Sequence, residues 1–307
     1  MGKYLLKRIM VALMTLLLII FILFMLLRLM PGTPFNDERV TEAQRLVLNQ
    51  KYGLDQPLPV QFVNYLVNML KGDFGVSYSI SRDVPVTNLL ATRLPLSLEI
   101  GFWAILLGTS LGLVLGTFAA FKQNTIWDSL ATVLSVIGVS VPSYVFALGL
   151  SYNLGYKLPL FPILFNMANK GQSLVLPVIS LSLFTMATIS RFTRTEMIEV
   201  LGSDYIQLAE SKGVSGSRLL FRHVLRNASI PILTVLAPLV VGLMTGSMVI
   251  EKIFSIPGLG QLLVQAIQSN DYNVVMAIAF IYSLMFIVVM LVVDILYGIL
   301  DPRIRIA

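Results

Sequence analysis

Side chains able to do chemistry are scarce in this 307-residue chain, and the scarcity narrows the possibilities. There is no cysteine, which excludes disulfides, thiolate metal sites and a cysteine nucleophile. The single histidine, His223, cannot build a histidine-based metal site, and it reads as a surface or interface residue. No Ser/His/Asp set, paired catalytic carboxylates or phosphate-binding glycine loop stands out, so no catalytic residue and no metal ligand is assigned. Inside the long apolar runs the acids are Glu99 and Asp294. A proton- or ion-coupled carrier needs intramembrane charges lining a path, and two isolated carboxylates are too few. Asp294 reads instead as pairing near Arg303 and Arg305.

One polar stretch breaks the apolar pattern, RFTRTEMIEVLGSDYIQLAESKGVSGSRLLFRHVLRNASIP, from Arg191 to Pro231. Gly202 can end an incoming helix and Ser203 can cap a new one. Tyr205, Leu208 and Ala209, with the stem of Lys212, fall on one helical face, flanked by Asp204 and Glu210. Gly213 stops that helix, and Ser215 or Ser217 starts another. There Leu220, Phe221, Val224, Leu225 and Ala228 make an apolar side, and Arg218, Arg222 and Arg226 a basic stripe. A loop that only fixed membrane topology would account for the arginines but not for a capped helix-Gly-helix, so the stretch reads as a docking element.

These residues need a membrane scaffold to hold them. The chain is 56% hydrophobic and 12% charged, about half the ~25% charge of soluble domains, with a mean hydropathy of +0.83. Six apolar segments are expected to span: Ile9–Met30, Ser97–Phe121, Leu130–Tyr156, Leu174–Ile189, Ile230–Ile250 and Val274–Leu300. Pro142 should bend the third, and Arg28 should snorkel from the first. Residues 31–95 read as a small ordered cap. Thr41 and Gln44 form a capping box on a helix that Gly53 can close, and Pro57 and Pro59 open a second helix with Phe62, Val63, Leu66, Met69 and Leu70 as its apolar side. A third short helix is expected over Asp83–Leu94.

With a cytoplasmic N-terminus the inner segments carry twelve lysines and arginines and the short outer loops three, Lys157, Lys170 and Lys252. The basic loop and both termini then lie in the cytoplasm, and the cap lies outside. This distribution attributes the net charge of +6 to topology and not to nucleic acid. Gly108, Gly112 and Gly116 repeat every four residues, a spacing for close helix approach within the chain or against a partner. Pro257, Gly258 and Gly260 mark a sharp turn after the fifth span, either a bare hairpin or a re-entrant element beside a pore. Ser135, Ser140, Thr188, Thr234, Thr245 and Ser247 are uncharged polar residues in the spans. They are candidates for a path or gate, unless they bond their own helix carbonyls.

DYIQLAESKG, followed by HVLRN and IP, resembles the EAA loop of bacterial ABC-importer permeases, with Gln207-Leu208-Ala209 where the general signature has Glu-Ala-Ala. LMPGTPF and YGLDQPLPVQFVNYLVNMLKGDFGVSY, EKIFSIPGLGQLLVQAIQSNDYNVV, and VDILYGILDPRIR resemble the start, the last loop and the end of the B-type peptide-permease subunit. The resemblance covers essentially the whole chain. It implies an all-α polytopic protein of the type I ABC-importer permease fold: residues 1–30 as the N-terminus and first span, 31–95 as a helical extracytoplasmic cap, and 96–307 as a five-helix core with a coupling loop at 191–230. It implies a non-enzymatic pore subunit in a bacterial cell membrane, moving oligopeptides or dipeptides. The implied partners are a homologous second permease, two cytoplasmic ATPases that carry the ATP and Mg, and an extracytoplasmic peptide-binding protein. The chain would also meet lipid and the peptide substrate, bind no nucleic acid and hold no cofactor of its own. The alternatives are a nickel or glutathione importer of the same family, a secondary transporter or channel, and an intramembrane enzyme.

Overall fold

The computed structural model describes the backbone of residues 2–29 and 41–300 and the side chains of 8–29 and 41–296. In chain order the helices are α1 (Gly2–Leu29), α2 (Glu42–Lys51), α3 (Leu58–Leu70), α4 (Val86–Phe121), α5 (Ile126–Ser140) and α6 (Ser143–Leu150), which continues through a π-helical stretch to Lys157. Then come α7 (Lys170–Leu201), α8 (Asp204–Ser211), α9 (Gly216–Leu219), a π-helical turn at Leu220–Val224, and α10 (Leu225–Met244). The last are α11 (Met248–Ile253), α12 (Leu259–Gln268) and α13 (Tyr272–Leu300). Five of these segments are long and apolar enough to cross a membrane, and the α5–α6 pair makes a sixth if its two arms count as one span. The protein is an all-α polytopic membrane protein.

The chain divides into two compact units. The first combines the residues through Leu96 with Pro257–Ile287. In α2 the capping box forms as the sequence predicts, with Gln44 N–H on Thr41 Oγ1 and Thr41 N–H on Gln44 Oε1, and Gly53 follows the helix at φ +64°. Pro57 caps α3, whose Phe62 and Met69 pack against α1, the Phe62 ring lying 5.3 Å from that of Phe24. Val63 and Leu70, on the apolar side of the helix, are exposed. The Arg28 guanidinium, near the end of α1, lies over the rings of Phe24 and Tyr272, 5.4 and 5.6 Å from their centroids. Val86 and Leu90 share a core with Leu259, Leu262, Val274 and Ile278.

The expected third cap helix is not separate. It forms the first turns of α4, a 36-residue helix with Pro95 inside it. A proline removes one N–H bond and crowds the preceding turn, at a cost of about 3 kcal/mol. Burial of Val86 and Leu90 before it, and of Leu96 and Ile100 after it, offsets that cost and holds both flanks helical.

The second unit spans Ser97–Ile256, joined by the chain from Val288 on. The glycine stripe of α4 is used inside the chain, against α7. A methyl on Gly108 would lie 2.7 Å from the Ser182 carbonyl oxygen, on Gly112 2.8 Å from that of Met186, and on Gly116 2.5 Å from that of Ser190. Backbones meet at distances no side chain permits, which is the use of small residues at four-residue spacing in membrane helices. α5, α6 and α10 also pack on α7. Pro142 does more than bend the third segment: α5 and α6 meet at 99°. It lacks an N–H for the helix ladder and disfavours helical backbone at Val141, which is extended at ψ 122°. The fourth segment is longer than expected, 32 residues, and the fifth ends at Met244, where Gly246 takes φ +90° before α11 begins.

Candidate coupling and pathway sites

α8 sits between two glycines that act differently. Gly202 ends α7 in right-handed backbone, φ −77°. Ser203 occupies the N-cap position, but its hydroxyl donates back to the Val200 carbonyl at 2.5 Å and leaves the first amides of α8 without a side-chain cap. Asp204, in the first turn, places its negative charge near the positive end of the helix dipole. At the far end, Gly213 N–H donates to Glu210 O and Val214 N–H to Ala209 O, with Gly213 at φ +79°. That pair of bonds is a Schellman closure, and Val214 packs beside Ala209 as the closure's apolar contact.

α8 presents two faces. Ile206, only 1% exposed, and Ala209 point into a core shared with Leu219, Val224, Ala228 and Ile232 beyond the loop, and with Ile189 and Met197 of α7. Tyr205 and Leu208 are 44% and 55% exposed. The docking face is therefore narrower than the periodicity suggests, because Ala209 belongs to the core. Asp204, Glu210, Lys212, Gly213, Arg218 and Arg222 are all exposed. The expected second helix is not free-standing. α9, the π-helical turn and α10 run as one continuous helical rod, and the register slip of the π turn leaves Phe221 exposed while Leu219 and Val224 are buried.

The break between α5 and α6 and the break after α10 border one cavity of about 430 Å³. Ser140, Pro142 and Ser143 line it from the first break, Gly242, Gly246 and Ser247 from the second, and Leu181 and Phe184 from α7. Two of the polar residues singled out in the sequence, Ser140 and Ser247, are thus brought together. The others are not in its lining. Thr234 donates to Ile230 O at 3.3 Å and Thr245 to Gly242 O at 3.2 Å, while buried Ser135 donates to Ala131 O at 2.9 Å. Thr188 is buried in α7, and its hydroxyl has no partner. Pro257, Gly258 and Gly260 belong to the other unit, where Gly258 caps α12 and Gly260 is buried in its first turn. Around them α11 and α12 follow one another in the chain, joined by a turn with Ser255 at φ +54°.

Four charged contacts escaped the sequence reading. Arg194 of α7 makes a two-pronged pair with buried Asp128 of α5, at 2.5 and 2.8 Å. Glu99 pairs with Lys170 at the start of α7. Glu251 is buried and accepts from Ser97 Oγ at 3.0 Å. Asp271, fully buried, accepts from Ser77 Oγ at 2.5 Å and from the amides of Tyr78, Ser79 and Ile80 at 3.0–3.2 Å. The sequence placed none of these partners together, since each pair is separated by a long stretch of chain. The one available signal was an acid beside a helix start, as at Asp128 and Asp271. Asp294 lies half-buried on α13, while Arg303 and Arg305 lie outside the described residues.

Residues 112–306 match the family described as binding-protein-dependent transport system inner membrane component, and residues 1–101 match its N-terminal companion. The chain is 44% identical to the dipeptide transport system permease protein DppB of Lactococcus lactis, over 99% of this chain and 100% of the relative. It is 41% identical to DppB of Bacillus subtilis, over 99% and 98%. It is 40% identical to the oligopeptide transport system permease protein OppB of Haemophilus influenzae, over 99% and 100%.

Proposed function

Because the chain belongs to the family of binding-protein-dependent transport system inner membrane components, and is a permease subunit of a peptide ABC importer, we propose that α8 is its contact with a cytoplasmic ATPase and that the cavity between the two helix breaks is its share of the peptide path. The observation that carries this reading is the division of α8. Ile206 and Ala209 bind it to α7 and to the rod of α9 and α10, and Tyr205 and Leu208 remain outward for a partner. A displacement of α8 is passed by close packing to α7 and α10. These same helices supply Leu181, Phe184, Gly242 and Leu243 to the cavity wall. Gly246, in left-handed backbone at the end of α10, and the extended Val141 before Pro142 are the points where that wall can change direction.

In this reading the importer contains a second, homologous permease, two ATPases holding ATP and Mg, and an extracytoplasmic peptide-binding protein. The chain itself performs no catalysis and binds no cofactor. It lies in a bacterial cell membrane with both termini and α8 in the cytoplasm, supported by the twelve-to-three bias of basic residues. The test is Leu208→Asp in the assembled importer. Leu208 is exposed, so the change should leave thermal stability within about 0.5 kcal/mol of wild type. Peptide-stimulated ATP hydrolysis should fall at least tenfold. Unchanged stimulation would remove α8 from the ATPase interface.

A further inference from the structure

We propose that the first unit carries a second peptide site, a cavity of about 470 Å³ that takes a di- or tripeptide by its free C-terminal carboxylate. The cavity lies between the end of α1, α3, the turn before α4 and the start of α13, and it shares no residue with the cavity assigned to the path. Its cation is Arg28. The guanidinium carbon lies over the rings of Phe24 and Tyr272, 5.4 and 5.6 Å from their centroids. A planar guanidinium presents its N–H groups along its edge, the edge that matches a carboxylate in a two-pronged pair. Tyr78 is hydrogen-bonded to this group, and no carboxylate among the described residues is ion-paired with it. A half-buried cation in that condition is stabilised by an incoming anion.

Two further groups in the lining lack partners. The Tyr65 hydroxyl and Gln61 Oε1 are both shielded from solvent and unbonded, one able to donate and the other to accept. A peptide unit supplies the complementary N–H and C=O. Asp73 stands in the same lining, where it suits the ammonium end of a zwitterion. The volume is within the range of small-molecule sites, about 300–1,000 Å³. The walls are tyrosine rings, which accept varied side chains by apolar and stacking contact without demanding one shape. The ligand class rests on the chain's being a peptide permease; the site does not depend on α8 or on the path cavity.

The experiment titrates the full-length chain in lipid nanodiscs, without binding protein, with Ala-Phe and with its C-terminal amide, by calorimetry. Saturable binding of Ala-Phe is expected, at least tenfold weaker for the amide and at least tenfold weaker for Arg28→Gln. Tyr65→Phe, which keeps the ring, should weaken binding several-fold, and it decides the matter if Arg28→Gln melts below wild type. No binding by wild type, equal binding of acid and amide, or wild-type affinity in both variants overturns the site. So does a result in which Ala-Phe never binds but Arg28→Gln abolishes docking of the binding protein, which would assign the carboxylate to that partner. Peptide-stimulated ATP hydrolysis by the assembled importer is measured alongside. Its absence with Ala-Phe binding intact would strike the proposed coupling through α8 and leave this site standing.

Discussion

At the scale of single residues, the strongest polar constraint in the first unit is one carboxylate. Asp271 takes four hydrogen bonds, three from successive backbone amides and one from Ser77, with no exposure to solvent. Ser77 Oγ in turn accepts from Ser81 N–H, and Asn273 Nδ2 donates to Val76 O, so the turn from Val76 to Ser81 is held from the start of α13. Gly75 permits this approach. It lies at φ +75°, and a methyl there would fall 2.7 Å from Asn273 Nδ2. Alanine at 271 leaves these donors buried and unbonded, each costing about 1–3 kcal/mol less whatever water recovers. Asp271→Ala is expected to destabilise the first unit by about 3–5 kcal/mol. Limited proteolysis should then cut within residues 71–85 at protease levels that spare wild type. An uncut segment and an unshifted melting curve would show that the carboxylate is not what anchors the turn.

At the scale of elements, the loop between α7 and α10 separates conformation from contact. Gly213 is in left-handed backbone, yet a methyl on it would meet nothing within 4 Å. Gly213→Val is therefore a test of backbone alone, with an expected strain of about 1–2 kcal/mol at the Schellman closure. The membrane helices should insert as before. Because the closure sets the exit angle of α8, ATPase association should weaken about tenfold in a pull-down with the partner subunits. Wild-type association would mean that the closure is incidental. This turn was legible in advance, because glycine at the end of an amphipathic run has a local cause. The capping box at Thr41 and the glycine stripe were legible for the same reason: each is written in residues less than one or two helical turns apart. The elements misjudged were those decided by distant packing. The expected helix over Asp83–Leu94 is part of α4, which continues past Pro95. Pro142 looked like a bend and makes a 99° break. Two prolines with the same local preference differ because buried side chains on both sides of one keep its flanks helical. Ala209 was placed outward and Ile206 overlooked for a related reason. Spacing identifies an apolar stripe on a short helix, but which edge of the stripe meets the rest of the chain depends on a core assembled from α4, α7 and α10.

At the scale of the whole molecule, the proposed function requires that α8 face the cytoplasm and the cap the outside, and that the cavity at the helix breaks take part in the peptide path. The first requirement is open to labelling, since the chain has no cysteine of its own. Single cysteines at Gln50 and Leu70 of the cap, both exposed, should react with an impermeant maleimide in intact cells. One at Gln207 of α8 should react only after the membrane is opened; the reverse pattern would invert the topology and displace α8 from the ATPase side. The second requirement concerns what a peptide meets. A path for peptides of varied sequence cannot hold a fixed charge without rejecting some side chains. The lining at the breaks fits that condition, with hydroxyl groups at Ser140, Ser143 and Ser247, small residues at Gly242 and Gly246, and no charged side chain. Such a wall acts by its width, so removing a hydroxyl should matter less than filling the space. Ser247→Ala is expected to change peptide uptake less than twofold. Ser247→Trp places a ring in a cavity of about 430 Å³ and should cut uptake at least tenfold, with peptide capture by the binding protein unaltered. Uptake of several peptides of different charge distinguishes the cases. If Ser247→Ala abolished uptake of one class and spared the rest, the permease itself would hold a selective contact at this break, and a wide, weakly binding path would be the wrong description.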